Sequence, residues 1–292
     1  MQSSNAKLAI TGANGFIGKH FVKRLKNTNI NFVSLDNRYP FDIEPSLVGV
    51  NTIIHLAGLA HGKANSEELS FSINCLYPIC LAKLAKHHGV NRFIFVSSAN
   101  VNSIQKNPFF DGNAHFKSQD FAALHKLKAE QALLKLVDTE FSVVILRLPL
   151  VYAADAPANF SKLLSLALKL PVQPFGLANA KRSYLSIDNL TSALAHLVDD
   201  KSNVTDVFNL TDDCDLSTKD LISGIRTAFG YSTRHLPIPP NIIRLPLSFI
   251  GKSNLLDIFF NENRLDITKF KNTFGWNPVE KPSEALNKLR EQ

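Results

Sequence analysis

Three glycines near the N-terminus have the spacing of a phosphate-binding turn. The segment TGANGFIG places Gly12, Gly15 and Gly18 three residues apart, after the apolar run KLAIT and before a stretch with helical apolar periodicity. Gly12 would allow a tight exit from a strand, Gly15 a close approach of backbone to a pyrophosphate, and Gly18 close packing of a helix on a sheet. Because a helix N-terminus also offers unpaired N–H groups and a positive dipole end, this turn predicts a dinucleotide-binding site.

An acidic residue lies where such a site would hold a ribose. Asp36 follows the run VSL about 20 residues beyond the glycine turn, the separation at which an acid bonds the adenosine ribose hydroxyls. A carboxylate there favours NAD, because it would repel the 2′-phosphate of NADP. Arg38, two residues further on, keeps NADP possible.

The elements that would position these residues alternate along the first half of the chain. Strands are predicted in KLAIT, NFVSL, NTIIHLA, RFIFVSS and FSVVILRL, and a long helix in SFSINCLYPICLAKLAKHHG. The run RFIFVSS is almost wholly apolar, as expected of a strand covered on both faces. This order predicts an α/β fold, a doubly wound Rossmann sheet of parallel strands with right-handed crossovers and helices on both faces.

The second half is less regular and contains the proline-rich apolar stretch HLPIPPNIIRLPLSFIG. A helix is predicted to begin near Asn159, followed by the strand RSYLSI, the helix DNLTSALAHLV and the strand DVFNLT. This pattern predicts a smaller C-terminal lobe. We assign residues 1–155 to the Rossmann domain, with 182–212 returning to it, and residues 156–181 and 213–292 to a substrate-binding lobe.

Composition narrows the class of function. The 292 residues carry a formal net charge of +7, but the basic residues are scattered and form no dense run. Without zinc-finger spacing, an RNA-binding signature, a long apolar segment or a secretory signal, we expect neither a nucleic-acid partner nor membrane insertion. Cys75, Cys80 and Cys214 lack metal-ligand spacing. We therefore expect reduced thiols, no metal and a cytoplasmic protein.

Further segments occur in the order found in one enzyme group. They are PFDI, IIHLAGLAH, SINCLYP, RFIFVSSANVN, LRLPLVY, ANFSKLL, KRSYLSIDNL and RLDITKFKNTFGWNP. Together with TGANGFIG they resemble the extended short-chain dehydrogenase/reductase group, and within it the NAD-dependent nucleotide-sugar epimerase/dehydratase family. The VN after Ser98 and the segment PFG…KRSY look closest to bacterial enzymes that modify UDP-linked N-acetyl sugars for surface polysaccharide.

The resemblance implies a site residue by residue. Ser98 would bond the reacting oxygen and Lys126 the nicotinamide ribose. Asn159 and Arg182 would hold the sugar nucleotide, Arg182 at the diphosphate, although Asn159 could equally be the N-cap of its helix. The residues implied to line the cofactor site are Gly12, Gly15, Phe16, Ile17, Gly18, Asp36, Asp42, Ile43, Leu56, Ala57, Gly58, Asn74, Lys126 and Pro149.

One residue of the family pattern is missing. The group uses Tyr-x-x-x-Lys on one helix, where the tyrosine exchanges a proton with the sugar hydroxyl or ketone. In FAALHKLKAEQAL, matching Lys126 puts Ala122 at the tyrosine position, and matching Lys128 puts Leu124 there. We prefer Lys126, because KLKAEQAL then matches the family's Lys-Leu-x-x-Glu run. Neither alignment supplies a tyrosine.

Three explanations for the missing tyrosine stay open. In the first, the protein has lost activity and kept cofactor binding. In the second, the tyrosine was deliberately replaced. In the third, another group transfers the proton. His125, three residues from Ala122, and His61 are the candidates for such a group, because imidazole titrates near neutrality. Since removing a positioned acid–base typically costs about 10²–10⁴ in rate, slow chemistry is expected.

The resemblance therefore implies hydride transfer at C4 of a UDP-sugar, by a 4-epimerase or a 4-keto-reductase that the missing tyrosine would impair. The alternative is a catalytically silent cofactor-binding sensor or scaffold of the same fold, and a third class is a nucleic-acid-binding member of this fold. Many relatives pair through two long helices. A homodimer formed through the helices near residues 70–88 and 120–138 is the corresponding expectation.

Overall fold

The alternating apolar runs of the first half form strands, and the segments between them form helices. In this computed structural model the structure describes residues 8–28, 30–35, 47–59, 66–105, 121–242 and 259–290. The strands in this part of the chain are β1 (Leu8–Thr11), β2 (Phe32–Leu35), β3 (Thr52–His55), β4 (Arg92–Ser98), β5 (Ser142–Leu148), β6 (Leu150–Tyr152), β7 (Val172–Gln173), β8 (Lys181–Arg182), β9 (Tyr184–Ser186), β10 (Asp206–Asn209), β11 (Leu216–Ser217) and β12 (Arg234–His235).

The helices complete the alternation. They are α1 (Phe16–Leu25), α2 (Glu67–Phe71), α3 (Tyr77–His87), α4 (Asn100–Gln105), α5 (Phe121–Leu134), α6 (Asn159–Lys169), α7 (Ile187–Asp199), α8 (Thr218–Ala228), α9 (Thr268–Phe274) and α10 (Pro282–Asn287). A π-helical turn, Ser72–Leu76, joins α2 to α3, and a 3₁₀ turn, Lys288–Arg290, follows α10. No helix within the described ranges is both long enough and apolar enough to cross a membrane.

A parallel sheet of six strands positions the glycine turn, as the sequence predicted. Its strand order is β10-β5-β4-β3-β1-β2. Because the chain order changes direction between β1 and β3, a ligand crevice is expected at the carboxyl ends of these strands. The residues at those ends are Thr11 of β1 and His55 of β3, which are register partners, and Ser98 of the neighbouring β4.

The sheet is covered on both faces, so its central strands are apolar along their whole length. Every residue of β5 is buried, as are the first six residues of β4. On one face the strands pack against α3 and α5 through a cluster of buried side chains: Ala9, Ile53, Leu81, Ala85, Phe93, Phe95, Leu133, Val143 and Ile145.

The long helix predicted over SFSINCLYPICLAKLAKHHG is present as an unbroken helical run, but it begins earlier, at Glu67, and its middle is not α-helical. Its middle, Ser72–Leu76, widens into the π-helical turn, and α3 ends before Gly89, whose φ of 76° is left-handed. Such π-helical turns often occur at functional sites. This turn carries Asn74, one of the residues implied by the resemblance.

The chain divides into two compact units. The first contains Met1–Leu148, Ala193–Asn209 and Asn272–Trp276, and the second contains Pro149–Ser192, Leu210–Lys271 and Asn277–Gln292. The first unit holds the six-stranded sheet. The second is built from pairs of short strands, β6 with β9, β8 with β11 and β7 with β12, together with α6, α8 and α10.

A buried polar cluster organises the second unit. Asp212 accepts hydrogen bonds from the Tyr152 hydroxyl at 2.8 Å, the Asn189 amide at 2.7 Å and the Ser186 backbone N–H at 2.8 Å. Burial raises the pKa of the Asp212 carboxyl to about 6, although these hydrogen bonds lower it. The cluster joins β6, β9 and the start of α7 through one side chain.

Candidate active site

The backbone packs too closely at the glycine turn between β1 and α1 to leave room for side chains. Gly12 has a φ of 69°, and a Cβ there would lie 2.7 Å from the Ala57 backbone nitrogen. A Cβ at Gly18 would lie 2.1 Å from the Gly12 carbonyl oxygen. Gly15 is the N-cap residue of α1 and provides no side chain to bond the N–H groups of the first turn. The turn therefore fits the paired phosphates of a dinucleotide.

A second loop is bonded to this turn from the end of β3. The Leu56 N–H donates to the Thr11 carbonyl at 3.2 Å, and the Ala57 N–H donates to the Thr11 hydroxyl oxygen at 3.3 Å. The same hydroxyl lies 2.9 Å from Nδ1 of buried His55. Burial, together with the nearby Lys126 ammonium, lowers the pKa of His55 to about 3, so its imidazole is neutral.

Sequence reasoning missed this threonine–histidine pair. Thr11 and His55 are the last residues of adjacent parallel strands, so the apolar runs KLAIT and TIIH each end in a polar residue. A polar residue closing two neighbouring apolar strands was the signal that could have identified the pair. Its role is to hold Leu56 and Ala57 against the glycine turn.

Three implied residues meet beyond this loop. Asn74 accepts a hydrogen bond from the Leu59 N–H at 2.9 Å and donates one to the Leu59 carbonyl at 3.1 Å. A Cβ at Gly58 would lie 3.2 Å from Oδ1 of Asn74 and 3.7 Å from Nζ of Lys126. Gly58, which has no side chain, is therefore the point at which this loop approaches both Asn74 and Lys126.

Lys126 reaches from α5 to the strand that carries Ser98. Its Nζ donates to the Val96 carbonyl at 2.9 Å, two residues before Ser98. Burial lowers the pKa of Lys126 to about 8, whereas the Glu130 carboxylate raises it, so the ammonium form predominates at pH 7. The half-buried Ser98 accepts a hydrogen bond from the Asn100 N–H at 3.3 Å. The structure thus brings a cationic donor and a hydroxyl to one end of β4.

A buried ion pair fixes α5 behind Lys126. Arg147 of β5 donates to Glu130 of α5 through Nη2, at 2.5 Å, and through Nε, at 3.2 Å. The Ser97 hydroxyl donates a short hydrogen bond to the same carboxylate, and Arg147 also donates to Oδ1 of Asn102 at 2.5 Å. The sequence did not identify this cluster, because its members come from separate segments.

Helix α5 settles which residues share a face. Residues 122 and 126 both lie within Phe121–Leu134, so they are one turn apart on the same side. Lys128 is exposed, and its Nζ lies 5.8 Å from the Phe71 ring centre. The lysine that bonds β4 is therefore Lys126, and the residue one turn before it, half-buried Ala122, offers only a methyl group.

Of the two histidines considered as substitutes for the missing tyrosine, His125 and His61, the structure describes His125. His125 is buried, with Nδ1 at 2.9 Å from the Ser70 hydroxyl and its ring between Phe71 and Phe121. These contacts direct the imidazole toward α2, and they give no support to a role as the substitute proton donor. His61 lies outside the described residues.

Other implied residues lie elsewhere or outside the described part. Asp36, Arg38, Asp42 and Ile43 lie outside the described residues. Pro149, Asn159 and Arg182 belong to the second unit. Their positions relative to the glycine turn stay a prediction.

Two of these residues have informative local surroundings in the second unit. The guanidinium of half-buried Arg182 donates to the Asn261 carbonyl at 2.6 Å, and burial lowers the pKa of Arg182. Asn159 is the first residue of α6 and is exposed, while the N-cap is Ala158, with a φ of 60°. Asn159 is therefore not the N-cap, which was the alternative to a ligand role.

The fold and this site define an NAD-binding Rossmann enzyme of the short-chain dehydrogenase/reductase type. The model of the NAD dependent epimerase/dehydratase family matches residues 8–211, and the chain belongs to this family. The family, the fold and the nicotinamide cofactor predicted from the sequence are thereby confirmed.

Relatives resemble the chain along nearly its whole length. It is 30% identical over 305 residues to UDP-glucose 4-epimerase of Vibrio cholerae, covering 96% of this chain and 93% of that protein. UDP-N-acetylglucosamine 4-epimerase from Bacillus cereus has a similar structure, with a TM-score of 0.72, 16% identity and 98% of each chain covered. MoeE5, solved with UDP-glucose and NAD, has a TM-score of 0.73 at 18% identity, covering 98% of this chain and 97% of that one.

Proposed function

We propose that the protein binds NAD and a UDP-sugar and acts at C4 of the sugar, as a 4-epimerase or a 4-keto-reductase. The observation that carries the proposal is the meeting of Gly58, Asn74 and Lys126 next to the glycine turn. The similarity to UDP-glucose 4-epimerase of Vibrio cholerae over 96% of the chain supports the substrate class. A surface polysaccharide precursor is the proposed product.

In this proposal, residues of the first unit bind the cofactor and orient the reacting oxygen of the sugar. Bound NAD supplies the group that accepts hydrogen from the sugar carbon and returns it. The Lys126 ammonium would bond the nicotinamide ribose, and Ser98 would hold the reacting oxygen. The loop of Leu56, Ala57 and Gly58 would line the cofactor. NADP is the second cofactor candidate, since Asp36 and Arg38, which would discriminate between the two, lie outside the described residues.

Proton transfer is the step that we expect to limit the rate of this reaction. Ala122 cannot exchange a proton with the reacting oxygen, so Ser98 and solvent would have to carry it. The absence of a positioned acid–base typically slows such a step by about 10²–10⁴. We therefore propose slow turnover by an enzyme whose binding site is complete.

The same alanine favours a second candidate function. A protein that keeps its cofactor site and loses its proton donor suits a catalytically silent sensor or scaffold that responds to NAD. The two candidates predict the same NAD affinity for the natural chain. They differ only in whether a UDP-sugar is converted.

The second unit would bind the sugar nucleotide. Arg182 has a charged side chain beside the backbone of Asn261, and a diphosphate could use that charge. Asn159 is exposed at the start of α6, where N–H groups of a helix favour an anion. We propose these two residues for substrate binding and Pro149 for the cofactor site.

A homodimer is the proposed assembly. Leu69 and Leu76 are exposed on α2 and the π-helical turn, and Leu134 is exposed at the end of α5, at 41%, 43% and 37% of their full exposure. These apolar side chains lie on the two helical segments expected to pair. Light scattering coupled to size-exclusion chromatography would give twice the mass of 32.3 kDa if the proposal holds.

One assay separates the candidate functions. The protein is incubated with UDP-glucose or UDP-N-acetylglucosamine and catalytic NAD, and sugar nucleotides are resolved by chromatography. Appearance of the C4 epimer supports an epimerase, whereas stoichiometric NADH consumption with a UDP-4-keto sugar supports a reductase. Saturable NAD binding without either reaction favours the sensor or scaffold. No binding of any nicotinamide dinucleotide would contradict both candidates.

A further inference from the structure

We propose that His125 is a positioning residue for the cofactor site, acting through Ser70 and Asn74. This inference rests on the proposed NAD site. Nδ1 of His125 lies 2.9 Å from the Ser70 hydroxyl, and the Asn74 amide nitrogen donates to that hydroxyl at 3.3 Å. Asn74 in turn bonds both backbone polar groups of Leu59. A continuous chain therefore runs from α5, the helix of Lys126, to the loop next to Gly58.

The direction of each hydrogen bond in this chain follows from its neighbours. Oδ1 of Asn74 accepts from the Leu59 N–H, so the amide nitrogen is the donor toward the Leu59 carbonyl and toward Ser70. The Ser70 oxygen accepts from Asn74 and has one proton left to donate. The Ser70 oxygen has a second lone pair and could also accept from Nδ1 of His125. We assign the bond as Ser70 donating to Nδ1, because Nε2 then carries the proton that faces the Glu67 carboxylate. The imidazole is then the neutral tautomer with its proton on Nε2.

The surroundings of His125 suit this tautomer. Nε2 lies 3.9 Å from a carboxylate oxygen of Glu67, which favours a proton on this nitrogen. The ring is enclosed by Phe71, edge-on at 5.3 Å, and Phe121, stacked at 6.1 Å. Burial lowers the pKa of His125, Lys128 lowers it further and Glu67 raises it, with a net lowering that keeps the imidazole neutral at pH 7.

The chain matters because Asn74 sits on an irregular element. The π-helical turn Ser72–Leu76 departs from regular helical geometry, and Ser70, His125 and Asn74 are all buried. Without an acceptor at Ser70, one proton of the Asn74 amide would lose its partner in a buried site, which typically costs more than an exposed loss. The amide would then hold Leu59 less firmly. His125 is therefore the residue that orders Ser70, and Ser70 orders Asn74.

The experiment compares variants that differ in the acceptor at position 125. His125→Asn places a carbonyl oxygen near the position of Nδ1, whereas His125→Phe keeps an aromatic ring without an acceptor. By calorimetry, His125→Phe should weaken NAD binding about 3- to 10-fold, the effect of one hydrogen bond. His125→Asn should retain the natural affinity. Ser70→Ala should match His125→Phe, and the double variant should be no weaker than either alone.

A histidine outside the chain provides the matched control. His196 on α7 also makes one hydrogen bond, from Nε2 to the Phe274 carbonyl at 2.7 Å. His196→Phe should lower the melting temperature and leave NAD affinity unchanged. A purely structural role of His125 would make His125→Phe behave in the same way.

Two readouts do not depend on the cofactor. Nitrogen NMR of the natural protein should show the Nε2–H tautomer for His125. Hydrogen exchange at the Leu59 amide should be faster in His125→Phe and Ser70→Ala, and slow in His125→Asn. If the natural protein binds no NAD, the proposed function fails, and the exchange result alone decides this inference. Equal affinity and equal exchange in His125→Phe and the natural protein, or no recovery in His125→Asn, would overturn it.

Discussion

The glycine turn and the first turn of α5 belong to the same unit, but they differ in how well their residues suit the roles that we propose for them. At the glycine turn, Gly12 and Gly18 allow backbone segments to pack more closely than a Cβ would permit, and no side chain at Gly15 covers the N-terminus of α1. On α5, Lys126 is held against β4, but the position one turn earlier is Ala122. The first region has the backbone geometry proposed to bind the cofactor, and the second has no proton-transfer group at the position where we propose that the family carries one.

The two regions differ because one acts through backbone groups and the other through a side chain. The glycine turn binds through backbone groups, so its function depends on which side chains are absent. Proton transfer depends on one hydroxyl at one position, and a single substitution removes it. Cofactor binding and chemistry can therefore be separated in this fold, and the predictions below test that separation from the largest expected effect to the smallest.

Restoring a phenol at position 122 should give the largest change. Ala122→Tyr should raise turnover of a UDP-sugar about 10²- to 10⁴-fold, because a positioned acid–base contributes roughly that factor. NAD affinity should stay the same, because the substitution leaves the glycine turn untouched. Ala122→Phe, which adds a ring without a hydroxyl, is the control and should give no gain. Equal gains from both variants, or none from Ala122→Tyr in a protein that binds NAD, would contradict the assignment of Ala122.

Breaking the ion pair behind Lys126 should mainly affect stability. Glu130→Gln removes the charge that faces buried Arg147, and leaving such a charge unpaired typically costs about 3–5 kcal/mol. Urea denaturation monitored by circular dichroism measures the change in the free energy of unfolding. The double variant Glu130→Leu with Arg147→Met should lose less than Glu130→Gln. A loss no larger than that of a surface substitution would show that the pair does not fix α5.

Filling the glycine turn should weaken binding without altering the catalytic helix. A Cβ at Gly18 would meet the Gly12 carbonyl at 2.1 Å. Overpacking of this kind typically lowers the free energy of unfolding by about 1–3 kcal/mol. Because the backbone of the turn must shift to accept the methyl group, Gly18→Ala should also weaken NAD binding, by about tenfold or more. Gly230→Ala is the control for a glycine substitution outside the site, since Gly230 has a left-handed φ of 77°, unlike Gly18, and no atom within 4 Å of its Cβ position. It should lower stability and leave NAD affinity unchanged.

The smallest effect should appear as a pH dependence. Because the pKa of Lys126 is lowered to about 8, its ammonium is present below that pH and is lost as the pH rises through it. NAD affinity should then fall about threefold to tenfold, because the neutral amine donates a weaker hydrogen bond to the ribose than the ammonium does. Lys126→Arg stays charged throughout this range and should show no such step. Calorimetry at several pH values measures both, and an identical step in the two proteins would assign it to another group.

The fold was predictable because its signals are local. KLAIT, RFIFVSS and FSVVILRL are apolar runs that become β1, β4 and β5, and the glycine turn lies where its spacing predicts. The π-helical turn at Ser72–Leu76 was not predictable, since no propensity distinguishes it from a regular helix. Two-residue strands such as β7 and β12 were also missed, because two residues contain no periodicity.

The candidate site was predictable only where a motif is continuous in sequence. Lys126 was identified from KLKAEQAL and lies against β4. The partners that hold it in place come from separate strands and helices, as with Glu130 and Arg147. The direction of the His125 ring depends on how α5 packs against α2, so periodicity along α5 could not reveal it.

The most direct test of the central claim is a calorimetric titration of NAD into ligand-free natural protein and into Ala122→Tyr, with turnover measured on the same samples. The account predicts saturable binding of one NAD per chain, with equal affinity in both proteins and much faster turnover in Ala122→Tyr. A folded natural protein that gives no binding heat with NAD or NADP would contradict the claim that the binding site is intact.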